Sequence, residues 1–410
     1  MPFGLPIIAA LSAIYTFGCT GADHTADGTR VIEIRLMDSV VGRAVVTEEQ
    51  VDGQRELTSN RSYSMWVAGA EVDAESATVV RMDDHDRLIS YSRTGQFGTA
   101  RREGFPGAVY WLEEARGPLT RAVAGEEQVL TVLEPVSLDT MTATVVPVDS
   151  DTVAWRTRVA SGEYDLDPDG RVLVARQGPV TLKLVDSLPS WERADVAKLL
   201  GRPAVKIDRP RHVRVLVVST EEGSMRTEAP LRAEIPKAPV VEVDPQFAKW
   251  LRPAPGIEVG EPALVREAEK MLRGAEDRRA AVELLTHRVN RRLSHTAEPG
   301  LPSALGALAS GSGDCNEHAA LFVGLARSSG MPARRISGLV YLDKPAPGFY
   351  PHEWVDVWMG EPVGWVAVDP ALAQPIADAA RIPLATEGRQ PLWSVLDRLQ
   401  RLSPEIVEVR

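Results

Sequence analysis

Cysteine is nearly absent from this 410-residue sequence: only Cys19 and Cys315 occur, and they lie far apart. A disulfide framework is therefore excluded. No Cys-x-x-Cys pair exists to seed a structural zinc site, which wants four ligands. No Asp-x-Asp-x-Asp-Gly loop announces calcium, and no cofactor is indicated. The sequence also has no long block of Lys or Arg: 46 basic residues stand against 57 acidic ones, a formal net charge of −11. A nucleic-acid partner is not expected, because the phosphate backbone is held mainly by positive charge. Nor is any apolar run long enough to span a bilayer, which takes about 20 residues. What remains is ordinary globular composition, 44% hydrophobic and 25% charged. The length suggests two folded units.

The uncharged run from Phe3 to Gly18 is too short for a membrane span and is broken early by Pro6, so it reads as a secretory signal. Ending in Gly18-Cys19, it resembles a bacterial lipoprotein signal, in which the cysteine is acylated and becomes the mature N-terminus. Thr16 and Phe17 depart from that pattern, and no Lys or Arg precedes the run. The expectation is an exported protein of the periplasm or a membrane-anchored lipoprotein, with residues 1–22 as signal and Cys19 as the lipidation site.

Residues 25–222 alternate apolar and polar positions in short runs, such as VIEIRL from Val31, RVLVAR from Arg171 and HVRVLVV from His212. Turn chemistry at Asp52-Gly53 and Asp167-Pro168-Asp169-Gly170 separates them. This predicts a mostly antiparallel β domain with one solvated face, interrupted by a helix from Trp191 to Gly201. Between Pro230 and Pro262, seven prolines in 33 residues predict an extended connector, placed at 223–258. Beyond it, over 259–410, the period becomes helical. One helix starts at Pro262 and stops at Gly274; a second, Glu276 to Leu293, buries Val282, Leu285, Val289 and Leu293. The tail predicts a helix over Leu392 to Leu402 and a strand after Pro404.

The segment Ser310 to Arg334 carries the chemistry. Asp314 is a good N-cap, Glu317 completes a capping box, and Cys315 then occupies the first turn of a helix that is apolar on most sides. The partial positive charge at a helix N-terminus predicts a lowered thiol pKa and a usable nucleophile. A cysteine nucleophile needs a base, and the base needs an orienting partner. Downstream, two strands joined by a Gly/Pro turn place His352 in the first and Asp369 at the end of the second. Asp356, on the same strand face as His352, is the rival partner. His318 shares a helix face with Cys315 and reads as a hydrogen-bonding core residue. Cys315, His318 and His352 together fall short of a zinc set.

Gly-Asp-Cys-x-Glu-His-Ala opening an apolar helix, His-x-Trp-Val-x-Val and Gly-Trp-x-x-x-Asp-Pro occur in this order. In these motifs the chain, over roughly Glu261 to Ile382, resembles the transglutaminase-like superfamily. The stretch Ala377 to Ile382 resembles a further segment of bacterial members, except that Arg381 stands where many have histidine. The resemblance implies Cys315 as nucleophile, His352 as base and Asp369 as the residue that orients it. It also implies an α+β fold whose second domain is papain-like, with the cysteine helix packed on an antiparallel sheet. The function implied is thiol acyl transfer on a carboxamide or peptide bond of a protein or peptide substrate, by hydrolysis or by transfer to an amine. The alternative is a non-catalytic cell-envelope binding scaffold on the same fold.

Overall fold

The computed structural model describes residues 29–67, 70–95, 99–105, 107–110, 112–133, 140–157, 161–221, 223–240, 245–295, 302–344, 346–387, 398 and 402–410. The signal segment with Cys19 lies outside them, as does all but Arg398 and Leu402 of the helix expected at Leu392–Leu402.

Alternating sequence builds the first half. β1 (Arg30–Leu36) is buried at every second residue, the period of a pleated strand. It continues through β2 (Ser39–Val51), β3 (Gln54–Val67), β4 (Ala70–Met82), β5 (Leu88–Gly95), β6 (Ala100–Glu103) and β7 (Val109–Tyr110). After helix α1 (Arg116–Val123) come β8 (Gln128–Leu133), β9 (Thr140–Pro147), β10 (Thr152–Arg156), β11 (Ser161–Leu166), β12 (Val172–Gln177) and β13 (Val180–Val185). Pairing runs β6-β5-β4-β3-β2-β1-β13-β12-β11-β10-β9-β8-β7, antiparallel apart from β7 with β8. An isolated bridge from Arg87 to Tyr110 brings the far edge back beside β5, so the sheet curls around its own core. Ile32, Ile34, Val46, Met65, Trp155 and Tyr164 fill that core.

The helix expected from Trp191 to Gly201 is shorter than its apolar spacing suggests. Ala194–Asp195 form β14, a parallel partner of β3, and only Val196–Leu200 are helical, as α2. Pairing with an existing sheet edge outweighs the weak propensity of so short a helix.

Residues 223–258 also differ from an extended connector. β15 (Arg202–Pro203) and β16 (Val215–Thr220) precede the segment, and its start, Gly223–Glu228, is β17, hairpin partner of β16. Two 3-10 turns follow, Arg232–Glu234 and Pro245–Leu251, with Ile235, Phe247, Trp250 and Ile257 buried. Ile235 and Ile257 join the second core and Phe247 and Trp250 pack on Trp358 and Trp365, while proline, which lacks an N–H, suits a path that is not central in a sheet.

The second half packs α3 (Pro262–Met271), α4 (Arg278–Arg292), the short strand β18 (Ser294–His295), α5 (Ala304–Ser310), β19 (Ser312–Gly313) and the nearly fully buried α6 (Cys315–Ser328). Against α6 lie β20 (Ala333–Leu342), β21 (Gly348–Trp358), β22 (Trp365–Val368) and β23 (Arg381–Thr386). Val355, Val357, Val366 and Val368 join Leu321, Phe322 and Leu325 in one core. The order is β15-β21-β20-β23, with β22 on β21. The architecture is thus mixed α and β, with a large antiparallel-rich sheet. The two halves interlock: β15 pairs with β21, and β24 (Glu405–Val409) pairs with β16. Leu339, Tyr341, Phe349, Ile382 and Leu384 belong to the core of the first half. Among the described residues, no helix is long and apolar enough to cross a membrane.

Candidate active site

Local sequence sets the start of α6. The Asn316 backbone N–H donates to Asp314 Oδ1 at 2.8 Å; the Asp314 side chain also accepts from the Glu317 N–H while the Asp314 N–H donates to Glu317 Oε2 at 3.0 Å, the reciprocal bonds of a capping box. Gly313 is required here, because a Cβ on it would lie 2.3 Å from that of Glu317. Cys315, 2% exposed, receives a hydrogen bond from the backbone N–H of Glu353, the residue after His352 on β21.

β21 and β22 deliver the other two residues. His352 Nε2 lies 2.8 Å from Asp369 Oδ2. Burial alone would raise the Asp369 carboxyl, but His352 and the Arg381 guanidinium outweigh it and hold the group well below the usual carboxylate range. An ionised carboxylate only accepts, so Nε2 carries the hydrogen, and in the neutral ring Nδ1 carries the lone pair. His352 Nδ1 is buried and has no hydrogen-bond partner among the described residues. Asp369 is held in turn by its own turn: the Leu372 N–H donates to Oδ1 at 2.9 Å, and Asp369 and Gln374 exchange backbone bonds at 2.8 and 2.9 Å. Asn290 of α4 donates to the carbonyls of Pro370 and Ala371 at 2.9 and 3.0 Å. Nothing in the spacing of α4 marks Asn290 for this task; its apolar neighbours carry the readable stripe.

The rival partner is engaged elsewhere. Asp356 pairs with Arg334 at 2.9 Å, and Arg334 lies 4.1 Å over the ring of Trp365. His318 is fully buried, donates from Nδ1 to the Asp314 carbonyl at 2.6 Å and stacks on His295 at 4.5 Å. Burial pushes its pKa down to about 4, so it stays neutral at working pH. Among the described residues, the three ligand-bearing groups that converge tightly enough for a metal ion are Asp83, Asp84 and His85, in the β4–β5 turn and away from this site.

The thiol departs from expectation. Burial pushes Cys315 well above its ordinary value, and the carboxyls of Asp314, Glu353 and Glu317 add to the rise. The helix N-terminus favours thiolate, but desolvation of a fully enclosed sulfur is the larger effect. Burial likewise pushes Asp314 well up, with Glu317 beside it, and raises Glu353 to about 7. Glu353 therefore keeps in the fold a proton that the unfolded chain releases near its ordinary value, and stability falls as pH rises from about 4.5 to about 7. Glu353→Gln is expected to raise the unfolding free energy at pH 8 by about 1–3 kcal/mol and to change it little at pH 4. Urea denaturation at the two pH values checks this; an equal gain at both would refute it.

Residues 266–370 match the family model of the transglutaminase-like superfamily. No curated protein matches the chain. Among solved structures, a candidate cysteine protease from Cytophaga hutchinsonii is similar at 20% identity and a TM-score of 0.32, over 45% of this chain and 58% of that one. The chain thus spans little more than half of that protein. A DUF1089 family protein from Pseudomonas aeruginosa is similar at 10% identity and a TM-score of 0.22, over 44% of this chain and 98% of that one. Both scores are too low to bear on function, and the family match rests on the segment that holds Cys315, His352 and Asp369: residues 266–370 belong to the transglutaminase-like superfamily.

Proposed function

We propose that the chain is a thiol acyl-transfer enzyme with a papain-like core, in which Cys315 is the nucleophile, His352 the base and Asp369 the residue that orients the imidazole. The observation that carries this reading is the His352–Asp369 pair, which fixes the tautomer and leaves a buried lone pair on Nδ1, on a strand whose next residue bonds the Cys315 sulfur. The thiol is protonated at rest, so its proton passes to Nδ1 as sulfur attacks the carbonyl carbon. The C=O π pair moves to oxygen. When the tetrahedral centre collapses, the C–N bond breaks, and the amine leaves with the proton that Nδ1 held. The thioester is then opened by water, giving an acid, or by a primary amine, giving an amide. A protein or peptide carboxamide is the substrate class, and export with lipid attachment at Cys19 is the setting; an N-terminal fragment mass showing an acylated Cys19 tests the latter.

The test of the activity is capture. Incubation with an aryl ester of a short acyl chain should add one acyl mass to the Cys315 peptide, and a primary amine in the mixture should release amide if transfer is the natural fate. Absence of any adduct would favour the scaffold reading, which the burial of Cys315 supports.

A further inference from the structure

Arg381 sits at the centre of the site, 1% exposed, on the first residue of β23. Its Nη2 donates to Asp369 Oδ2 at 2.6 Å, the same oxygen that faces His352 Nε2 at 2.8 Å, and to Gln374 Oε1 at 2.6 Å. Its Nη1 reaches the Asp378 carbonyl at 3.0 Å and the Asp378 carboxylate at 2.8 Å. The other Asp378 oxygen lies 2.9 Å from Arg211, which also donates to the Tyr341 carbonyl. A continuous run of charge therefore leads inward from the half-buried Arg211, before β16, through buried Asp378, Arg381 and Asp369 to His352.

We propose, resting on the acyl-transfer reading, that Arg381 is a positioning residue that acts on His352 through their shared Asp369 oxygen: it draws carboxylate charge away from the imidazole and keeps Cys315 and His352 a neutral pair until attack begins, to a degree set by Asp378. A carboxylate oxygen has two lone pairs, and here a guanidinium takes one and the imidazole the other. A fixed positive charge beside an imidazole disfavours imidazolium. Burial of the thiol acts in the same direction, since both oppose a thiolate–imidazolium pair. The groups that face His352 divide by element. Asp369 follows β22, Arg381 opens β23, Cys315 and His318 come from α6, His295 stacks on His318, and Glu353 is the neighbour on β21. Of these, Arg381 is the one cation that also bonds the orienting carboxylate.

The test is the rate of iodoacetamide alkylation of Cys315 in the full chain between pH 5 and pH 10, with thermal unfolding recorded beside it. Arg381→Gln removes the charge and keeps a donor. It should move the midpoint of the profile down by about one pH unit and raise the rate near pH 7 by about tenfold. Arg381→Lys keeps the charge and should restore the wild-type midpoint. Asp378→Asn, which leaves the guanidinium less neutralised, should move the midpoint up. A purely structural Arg381 would give loss of stability with no gain in reactivity, and glutamine and lysine variants with the same midpoint would overturn the proposal. If Arg381→Gln does not fold, Asp378→Asn decides: an unmoved midpoint overturns it. His352→Ala in the wild-type background separates this from the reading beneath it. A profile indifferent to His352 refutes acyl transfer itself, whereas a profile that responds to His352 but not to Arg381 or Asp378 refutes the role of Arg381 alone.

Discussion

Cys315→Ala should abolish acyl capture outright, with no measurable adduct at any pH, because the nucleophilic sulfur is gone. His352→Ala should retain the thiol but slow its acylation by about 10²–10⁴ at neutral pH, the usual contribution of a positioned proton acceptor. The decline is expected to be steepest below the ordinary cysteine range near pH 8.5, where the thiol is protonated and has lost its imidazole acceptor. Both variants should remain folded, since alanine fills most of the volume of Cys315 and Asp369 keeps its bond to Arg381 when His352 is removed. Intact-mass spectrometry across pH, with calorimetry of each variant, is the measurement. If Cys315→Ala still accumulates the acyl group on α6, or if wild type and His352→Ala rise together at the same pH, the thiol is not activated by the imidazole.

At Asp369 the expected loss is double. Asp369→Ala should slow acylation by about 10²–10⁴ without abolishing it, because nucleophile and base survive while the ring loses its orientation. It should also cost about 3–5 kcal/mol of stability, since Arg381 would keep a buried guanidinium facing one carboxylate where it had two. Asp369→Asn preserves shape and should recover much of the stability but little of the rate. The sign of the pH effect follows from the depressed carboxyl. Its stabilisation is fully present above the ordinary carboxylate range and is lost as pH falls through and below it, so the wild type should weaken on acidification where Asp369→Asn does not. Equal acid sensitivity in the two proteins would contradict this.

Much of the site is readable from residue order. A capping box announces the start of α6, and Asp369-Pro370 marks a turn at the end of a strand, because these are contacts between residues a few positions apart. The choice between Asp356 and Asp369 is different in kind: both fit the strand spacing, and only the presence of Arg334 beside Asp356 shows that it is engaged elsewhere. Arg381 reads in the sequence as a departure from a pattern. Its use is visible only once β23 lies beside β20, bringing it to Asp369. The raised thiol has a similar cause, since a helix N-terminus is local and legible whereas burial of the sulfur and the approach of Glu353 from β21 are not. The alternating runs of the first half likewise predict strands and faces, but not that the sheet closes through Arg87 and Tyr110. Nor does the proline count reveal that Phe247 and Trp250 hold the connector down.

The pairing of β24 with β16 bears on how the chain acquires its structure over time. Leu216 and Val409 meet across about 190 residues, and closing so long a loop is slow compared with forming the β16–β17 hairpin. During refolding from denaturant, β16 is therefore expected to wait as an open edge with Val217 and Val218 unprotected, a template for pairing with another chain. Yield after dilution should fall steeply with protein concentration, and a peptide spanning Glu405 to Arg410 added in excess should restore it by occupying that edge.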